Sequence, residues 1–369
     1  MAFRLLKLLH NFPGNMITTN TEYGYLTLAD ISGYNAFVAE TEFDHAQEII
    51  RDLLEFLVDR LRPLLTLVQI EGAAVFAYMP ENKLLRGETL FELIENTYTA
   101  FKNQLTSVKR HHTCDCAACR NVNTLDLKFF VHYGEYIEHS IDDHHGLLGY
   151  APMFVRKREW KEPVAESAQW RGYALFTEDS LSKLNLEPEE LEVVAFADDP
   201  VRTFGLNLQA RYEMLAVTRQ IVVSSETADA GLMSEIDAPL PVLWDWLNDP
   251  QKRNQWWESY IHWTSRLRPG GRTGPGAINH CNHGVGDMLE TVLDWRPFDY
   301  YTVEMHITPG RFIVLQTTYL EAKPEGGTKI EVYYQLKNPH LRWMARPFCK
   351  LAAGFLGLEL KRLKHLLTN

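Results

Sequence analysis

The sequence predicts an α+β chain built as two successive domains. Three observations carry that reading. Between Leu26 and Tyr133 the order is strand, helix, hairpin, helix, strand. Beyond Arg219 a helix precedes a series of strand-like segments and a long terminal helix. Finally, 369 residues at 46% hydrophobic and 23% charged suffice for two ordinary cores. The expected divisions are an extension over 1–21, a first domain over 22–220 and a second over 221–369.

The first domain opens on an apolar strand, Leu26-Thr27-Leu28-Ala29, leading into Asp30-Ile31-Ser32-Gly33-Tyr34. A carboxylate directly after strand formers is held at the end of a buried edge, where a divalent cation can use it. Asp30 also reads as an ordinary turn or cap residue. Helix is predicted over 34–61, because Ile49, Leu53, Phe56, Leu57 and Leu61 fall at helical spacing and Pro63 ends the run. Segments 64–70 and 74–79 flank Glu71-Gly72-Ala73 as a tight hairpin. Segment 89–108 reads as a second helix and 125–133 as an apolar strand closed by Gly134, with His132 expected as a hydrogen-bonded core histidine. This order suits a sheet covered by helices on one face. A short helix and connector follow over 180–192, then strands at 192–196, 201–206 and 212–215.

Bulk properties exclude several classes. The formal charge of −11 and pI near 5.7 argue against general nucleic-acid binding, which needs clustered Lys and Arg. No stretch approaches the roughly 18 uninterrupted apolar residues of a transmembrane helix. The basic, apolar start from Met1 to Met16 is interrupted by Lys7, His10 and Pro13, which makes it a docking helix or an ill-defined start rather than a secretory signal. Five cysteines, three of them between Cys114 and Cys119, do not form a disulfide framework and imply a reducing, cytoplasmic setting.

The motifs Leu28-Ala29-Asp30-Ile31-Ser32-Gly33-Tyr34, Ile70-Glu71-Gly72 before Ala73, Val75-Phe76-Ala77 and Val131-His132-Tyr133-Gly134-Glu135 resemble the class III adenylate/guanylate cyclase homology domain. The resemblance covers residues 22–220. It implies a ferredoxin-like, nucleotidyl-cyclase-type domain in which two Asp residues hold two metal ions at a dimer interface. The first Asp falls on Asp30 and the second on Ala73; the purine-reading Lys falls on Gln69. With Gly149 as the reference glycine, the transition-state Asn and Arg fall on Met153 and Lys157, beside Arg156 and Arg158. Only Asp30 keeps its chemistry, so the implied site is degenerate, with at most a vestigial magnesium or manganese ion. One carboxylate cannot hold two ions, and losing a transition-state donor alone costs about 3–4 kcal/mol of barrier. Glu71, or residues borrowed from a partner chain, is the route by which an active cyclase forming a cyclic nucleotide from ATP or GTP is retained as the alternative.

Cys114, Cys116 and Cys119 place three thiols within six residues. That spacing can wrap one soft tetrahedral ion such as zinc with little loop entropy lost. The fourth ligand is expected from His112 or His111, or from His139, His144 or His145. An iron–sulfur cluster, redox chemistry and an unmetallated thiol loop stay open. Asp142-Asp143-His144-His145 reads as a solvated loop.

In the second half Ile221-Val222-Val223 and Ser234-Glu235-Ile236 read as strand, and a helix starts after Pro239 and Pro241. Segments 274–276, 284–288, 291–295, 300–307, 312–320 and 328–336 read as strands, and 340–367 as the last helix. Ala238-Pro239 before Val242 and Trp244, Asp249-Pro250 with Trp256-Trp257, and Gly326-Gly327-Thr328 resemble the START-like (SRPBCC), or polyketide cyclase/dehydrase, superfamily over residues 230–369. That resemblance implies a helix-grip domain, a curved antiparallel sheet around a long helix, enclosing a cavity for a lipid or other hydrophobic small molecule. Trp263, Trp295, Phe312, Phe348 and Phe355 are the expected lining, with Leu351, Ala352 and Leu356; a solid core is the bland alternative. His280-Cys281-Asn282-His283 is a weaker metal candidate. The three-cysteine insert and the appended second domain look most like an uncharacterised bacterial group in which a cyclase-like domain precedes a START-like one. The combined expectation is a non-catalytic two-domain sensor or signalling protein recognising a nucleotide or partner with its first half and a hydrophobic ligand with its second. A homodimer is compatible with it, and a structural or interaction protein is the remaining alternative.

Overall fold

The computed structural model describes residues 21–83, 87–111, 116–141, 144–157, 170–187, 189–194, 201–284, 286–308 and 312–368. The first half contains β1 (Glu22–Ser32), α1 (Tyr34–Ala39), α2 (Phe43–Leu61), β2 (Thr66–Glu71), β3 (Ala74–Pro80), α3 (Glu88–His111), α4 (Ala117–Asn121), β4 (Asp126–Ile141) and β5 (His144–Leu148). It continues with α5 (Tyr150–Arg156), β6 (Tyr173–Thr177), α6 (Glu178–Leu184), β7 (Glu192–Val194), β8 (Thr203–Asn207) and α7 (Leu208–Val217). Among the described residues the sheet order is β2-β3-β1-β4-β6-β8-β7, with β5 extending β4. The first four strands are all antiparallel neighbours. With α2 and α3 they make the βαββαβ arrangement of a ferredoxin-like fold.

The pleat divides the core. Ala29 and Ile31 of β1 face α2 and α3, whose apolar stripes carry Ile49, Leu53 and Leu57, and Leu90, Phe91, Ile94 and Phe101. Leu26 and Leu28 face the other way and pack with Phe76, Phe130 and Leu175 beneath Phe154 and Val155 of α5. Gly72, at φ 62°, supplies the positive φ that the two-residue turn between β2 and β3 demands.

Three sequence expectations fail in this half. His144 and His145, read as part of a solvated loop, begin β5, which pairs with β4. The helix over 34–61 is broken after Ala39, where the Thr41 hydroxyl donates to the Phe37 carbonyl (2.5 Å) and closes α1 before α2 begins. Segment 212–215 lies inside α7 rather than in a strand. Asn207 caps that helix by accepting the Ala210 N–H (3.0 Å), and a side-chain cap overrides the short apolar pattern.

The second half contains β9 (Ala230–Ile236), α8 (Leu240–Asn248), α9 (Pro250–Trp256), β10 (His262–Leu267), β11 (Ile278–Asn282), β12 (Asp287–Arg296), β13 (Tyr300–Ile307), β14 (Phe312–Ala322), β15 (Thr328–Leu336) and α10 (Ala345–Thr368). Seven strands in the order β10-β11-β12-β13-β14-β15-β9 form one antiparallel sheet. It closes around α10 in the helix-grip manner. Segment 291–295 lies in β12, which begins only at Asp287 within the expected segment 284–288, and 274–276 is a turn. Segment 221–223 is not a strand: its Ile221 and Val223 amides donate to Asp294 and the Thr317 hydroxyl (2.8 Å each) instead of to a neighbouring strand. Among the described residues no helix is long and apolar enough to cross a membrane.

Helix α3 serves both halves. Glu92, 1% exposed, accepts the indole N–H groups of Trp244 (3.0 Å) and Trp295 (2.9 Å) from the second domain. One turn on, Glu95 forms a buried bidentate pair with Arg272 (2.8 and 2.9 Å), and Arg272 also holds Glu190 at 3.0 Å. Burying charges at such a joint is costly unless they are paired.

Candidate functional site

A cavity of about 420 Å³ lies between the concave face of the second sheet and α10, within the size range of small-molecule sites. Strand alternation builds its wall. Met288 and Glu290 of β12, Met305 and Ile307 of β13, Gln316 and Thr318 of β14, and Ile330, Val332 and Tyr334 of β15 point inward at a spacing of two. Ala352, Phe355, Leu356 and Leu360 of α10 cover it, and Trp256, Trp257, Tyr260 and Trp263 close one side.

The cavity's charges neutralise one another. Arg253 donates twice to Glu290 (2.9 and 3.1 Å) and once to the Leu247 carbonyl (2.5 Å), and Asn279 donates to the same carboxylate (2.8 Å). Burial is the strongest influence on Arg253 and opposes its charge, but Glu290 together with Tyr301 and Cys281 outweighs it and raises the guanidinium pKa. The guanidinium also lies 4.5 Å from the Trp263 ring centre, a cation–π contact. By contrast, the indole N–H groups of Trp257 and Trp263 have no partner among the described residues. An unmade hydrogen bond at a buried donor costs about 1–3 kcal/mol, and both nitrogens are closed off within the protein.

Trp263 and Phe355 line this space, as the sequence placed them. Trp295 does not: its ring packs against Trp244 (4.8 Å) and its N–H is spent on Glu92 at the joint between the domains. Phe312 and Phe348 stack on each other (4.2 Å) outside the lining, and Leu351 is exposed. Arg253, Glu290 and Trp257 were missed, because nothing local marks a residue whose partner lies 37 positions away. His280 pairs with Asp287 (3.3 Å) and Cys281 is buried on the opposite side of β11, so that stretch does not converge on one point.

In the first domain the register aligns one row of side chains on the face of the sheet opposite α2 and α3: Glu71, Ala74, Asp30, Lys128 and Tyr173. Asp30 is 5% exposed. It is flanked by a methyl group and by Lys128, whose ammonium lies 5.1 Å from the Tyr173 ring centre. Burial, and then the Asp30 charge, push the Tyr173 hydroxyl pKa upward. Ala73 sits in the turn beside this strand end, its carbonyl accepting the Ile31 N–H (3.0 Å). Glu71 shares the row but lies two strands from Asp30, roughly 9–10 Å at normal strand spacing, against the roughly 3.5–4 Å between paired catalytic ions. Arg156 holds Glu71 at 3.8 Å. Gln69 is exposed on β2, Met153 is 52% exposed on α5, and Lys157 follows α5. Arg158 lies outside the described residues. His132, hydrogen-bonded to the Thr177 hydroxyl (3.0 Å), is a core histidine.

A third cluster joins α2 to α4. His45 Nδ1 is 3.1 Å from Cys116 Sγ, and His45 Nε2 is 4.0 Å from Cys119 Sγ. Cys116 caps α4 and accepts the Cys119 N–H at its sulfur (3.4 Å). The sequence expectation named Cys116 and Cys119 but not His45, which lies 71 residues from Cys116. His112, Cys114, Asp142 and Asp143 lie outside the described residues. His145 packs beside Tyr78, on the sheet face opposite α2.

Residues 223–368 match the family model described as polyketide cyclase / dehydrase and lipid transport. The second domain is a START-like helix-grip domain. Residues 50–167 match a model described only as a protein of unknown function, DUF2652. An uncharacterized protein of Mycobacterium tuberculosis, Rv2561/Rv2562, is 27% identical over 115 residues, 31% of this chain and 53% of its own length, so the chain spans about half of that curated relative. Among solved structures, a bacterial light-regulated adenylyl cyclase is similar at 12% identity and a TM-score of 0.41, covering 54% of this chain and 58% of its own. Protein MLL2253 from Mesorhizobium loti is similar at 17% identity and a TM-score of 0.31, covering 38% of this chain and 96% of its own.

Proposed function

We propose that this chain is a non-catalytic two-domain ligand sensor. Its START-like half takes an apolar small molecule, and its cyclase-like half recognises a nucleotide or a partner without turning a nucleotide over. The observation that carries the reading is the 420 Å³ cavity, walled by apolar and aromatic side chains, with its self-neutralised Arg253–Glu290 pair. A closed ion pair leaves no net charge for an ionic guest, so the wall selects an apolar one. Leu247 lines the cavity and Trp244, one turn earlier on α8, reaches Glu92 of α3. Occupancy of the cavity is therefore felt one helical turn from the joint with the first domain.

The absence of turnover follows from the Asp30 row, where an ammonium rather than a second carboxylate flanks the acid. The test has two arms. The full chain, purified without detergent, is denatured and extracted for mass spectrometry, and is titrated with anthraquinone and with anthracene, which differ in their carbonyl oxygens. Retained apolar molecules and saturable binding of both probes are expected. In parallel, ATP and GTP with manganese are expected to give no cyclic nucleotide above a buffer control. An empty extract with no response to either probe removes the ligand reading, and sustained cyclic-nucleotide formation removes the non-catalytic one.

A further inference from the structure

The contacts around His45 have no role in either half of that proposal. Its ring and the sulfurs of Cys116 and Cys119 come from two elements far apart in sequence, yet one donor atom from each lies within 4.8 Å of the others. Zinc–sulfur bonds of about 2.3 Å and zinc–nitrogen bonds of about 2.0–2.1 Å place neighbouring ligands of a tetrahedral ion roughly 3.5–3.8 Å apart. The 3.1 Å separation is from Cys116 Sγ to Nδ1 and the 4.0 Å separation from Cys119 Sγ to Nε2; a single ion takes one ring nitrogen, so the ring turns and the donors, within 4.8 Å of one another, draw together as it binds.

Two further features suit a metal better than a chance meeting of thiols. The Cys119 N–H is directed at Cys116 Sγ across a Cys-x2-Cys turn (3.4 Å), which fixes where that sulfur sits within the turn. In addition, the Glu42 carboxylate accepts the N–H groups of Ala117 and Ala118 (3.2 Å each). Glu42 precedes α2 directly, so the strand of chain carrying His45 is already clamped to the turn carrying both sulfurs, and the donors are held in place before any ion arrives.

We propose that His45, Cys116 and Cys119 bind a single zinc ion that pins the start of α2 to α4. Two soft thiolates with an imidazole favour zinc over magnesium or calcium. Binding displaces the two thiol protons to solvent, and the fourth tetrahedral position is taken by water or one further donor. The ion closes a loop of more than seventy residues between His45 and Cys116, so its role is to stabilise the first domain rather than to meet the ligand cavity.

The test is a metal analysis of the full chain, purified without a histidine tag and without chelator. About one zinc per chain is expected in the wild type, falling below about a tenth in His45→Ala, Cys116→Ser and Cys119→Ser, with His145→Ala unchanged. Cobalt substitution should give a thiolate-to-metal charge-transfer band that His45→Ala alters and His145→Ala does not. Should a variant fail to fold, the wild type decides: Cys116 and Cys119 are expected to resist iodoacetamide with zinc bound and to react after chelation. No metal retained after equimolar zinc loading, equal alkylation with and without zinc, or a His45→Ala protein with undiminished zinc and an unaltered cobalt spectrum overturns the assignment.

Discussion

Replacing Glu95 by alanine tests whether the two domains hold each other folded. In the wild type Glu95 is buried between Arg272, which it grips twice at 2.8 and 2.9 Å, and Arg211, whose Nε lies 3.3 Å away without its N–H being well aimed. Removing the carboxylate leaves the buried Arg272 guanidinium with Glu190 alone, itself 40% exposed. Stranding one partner of a buried pair costs about 3–5 kcal/mol, which lowers a thermal midpoint by on the order of 10 °C. Burial raises the Glu95 pKa, but Arg272 and then Arg211 outweigh it and hold the carboxyl below its ordinary 4.5. Its stabilisation is thus fully present above pH 4.5 and is lost as pH falls through the lower native value. Glu95→Gln should therefore flatten the stability-against-pH slope in that acid window. Differential scanning calorimetry from neutral to acid pH reads both effects. The double variant Glu95→Leu/Arg272→Met should recover much of the single variant's loss, because two apolar groups leave no charge stranded. A single variant costing under about 1 kcal/mol, or a double variant no better than the single, refutes the idea that this pair locks the joint.

Two shorter predictions concern the second domain. Trp263→Ala removes a ring that lines the cavity beside Arg253; it should weaken binding of anthracene and anthraquinone alike by about tenfold or more in fluorescence titration. Unchanged affinity for both probes would place the ring outside the binding space. Cys281 is fully buried and its thiol pKa is pushed up to about 12, chiefly by burial and then by Glu290. Iodoacetamide at pH 8, where about one part in ten thousand is thiolate, should leave it unmodified in the folded chain by peptide mass spectrometry; alkylation at the rate of an exposed thiol contradicts that environment.

What the sequence made legible was what repeats locally. The helical spacing of Ile49, Leu53 and Leu57, the Glu71-Gly72 turn and the period of two along β12 to β15 are set by neighbours within a few residues, and the α+β class with its helix-grip second half follows from them. Helix breaks governed by one hydroxyl were not legible, because Thr41 looks like any helical threonine until its bond to the Phe37 carbonyl is seen. The large aromatics were sorted poorly for a related reason. Trp263 lies in β10, whose other residues are mostly polar, and Trp295 in the alternating β12, and hydropathy does not tell a wall residue from one spent on a carboxylate of another domain.

The site residues divide along the same line. Asp30 and the two cysteines could be named because their neighbours in sequence are unusual. Lys128 and His45 could not, since each matters only through a strand register or a helix start brought beside it by folding. Lys128 did leave one signal, a lone charge at an even position in the apolar run 127–133, where alternation puts it on the Asp30 face of the sheet.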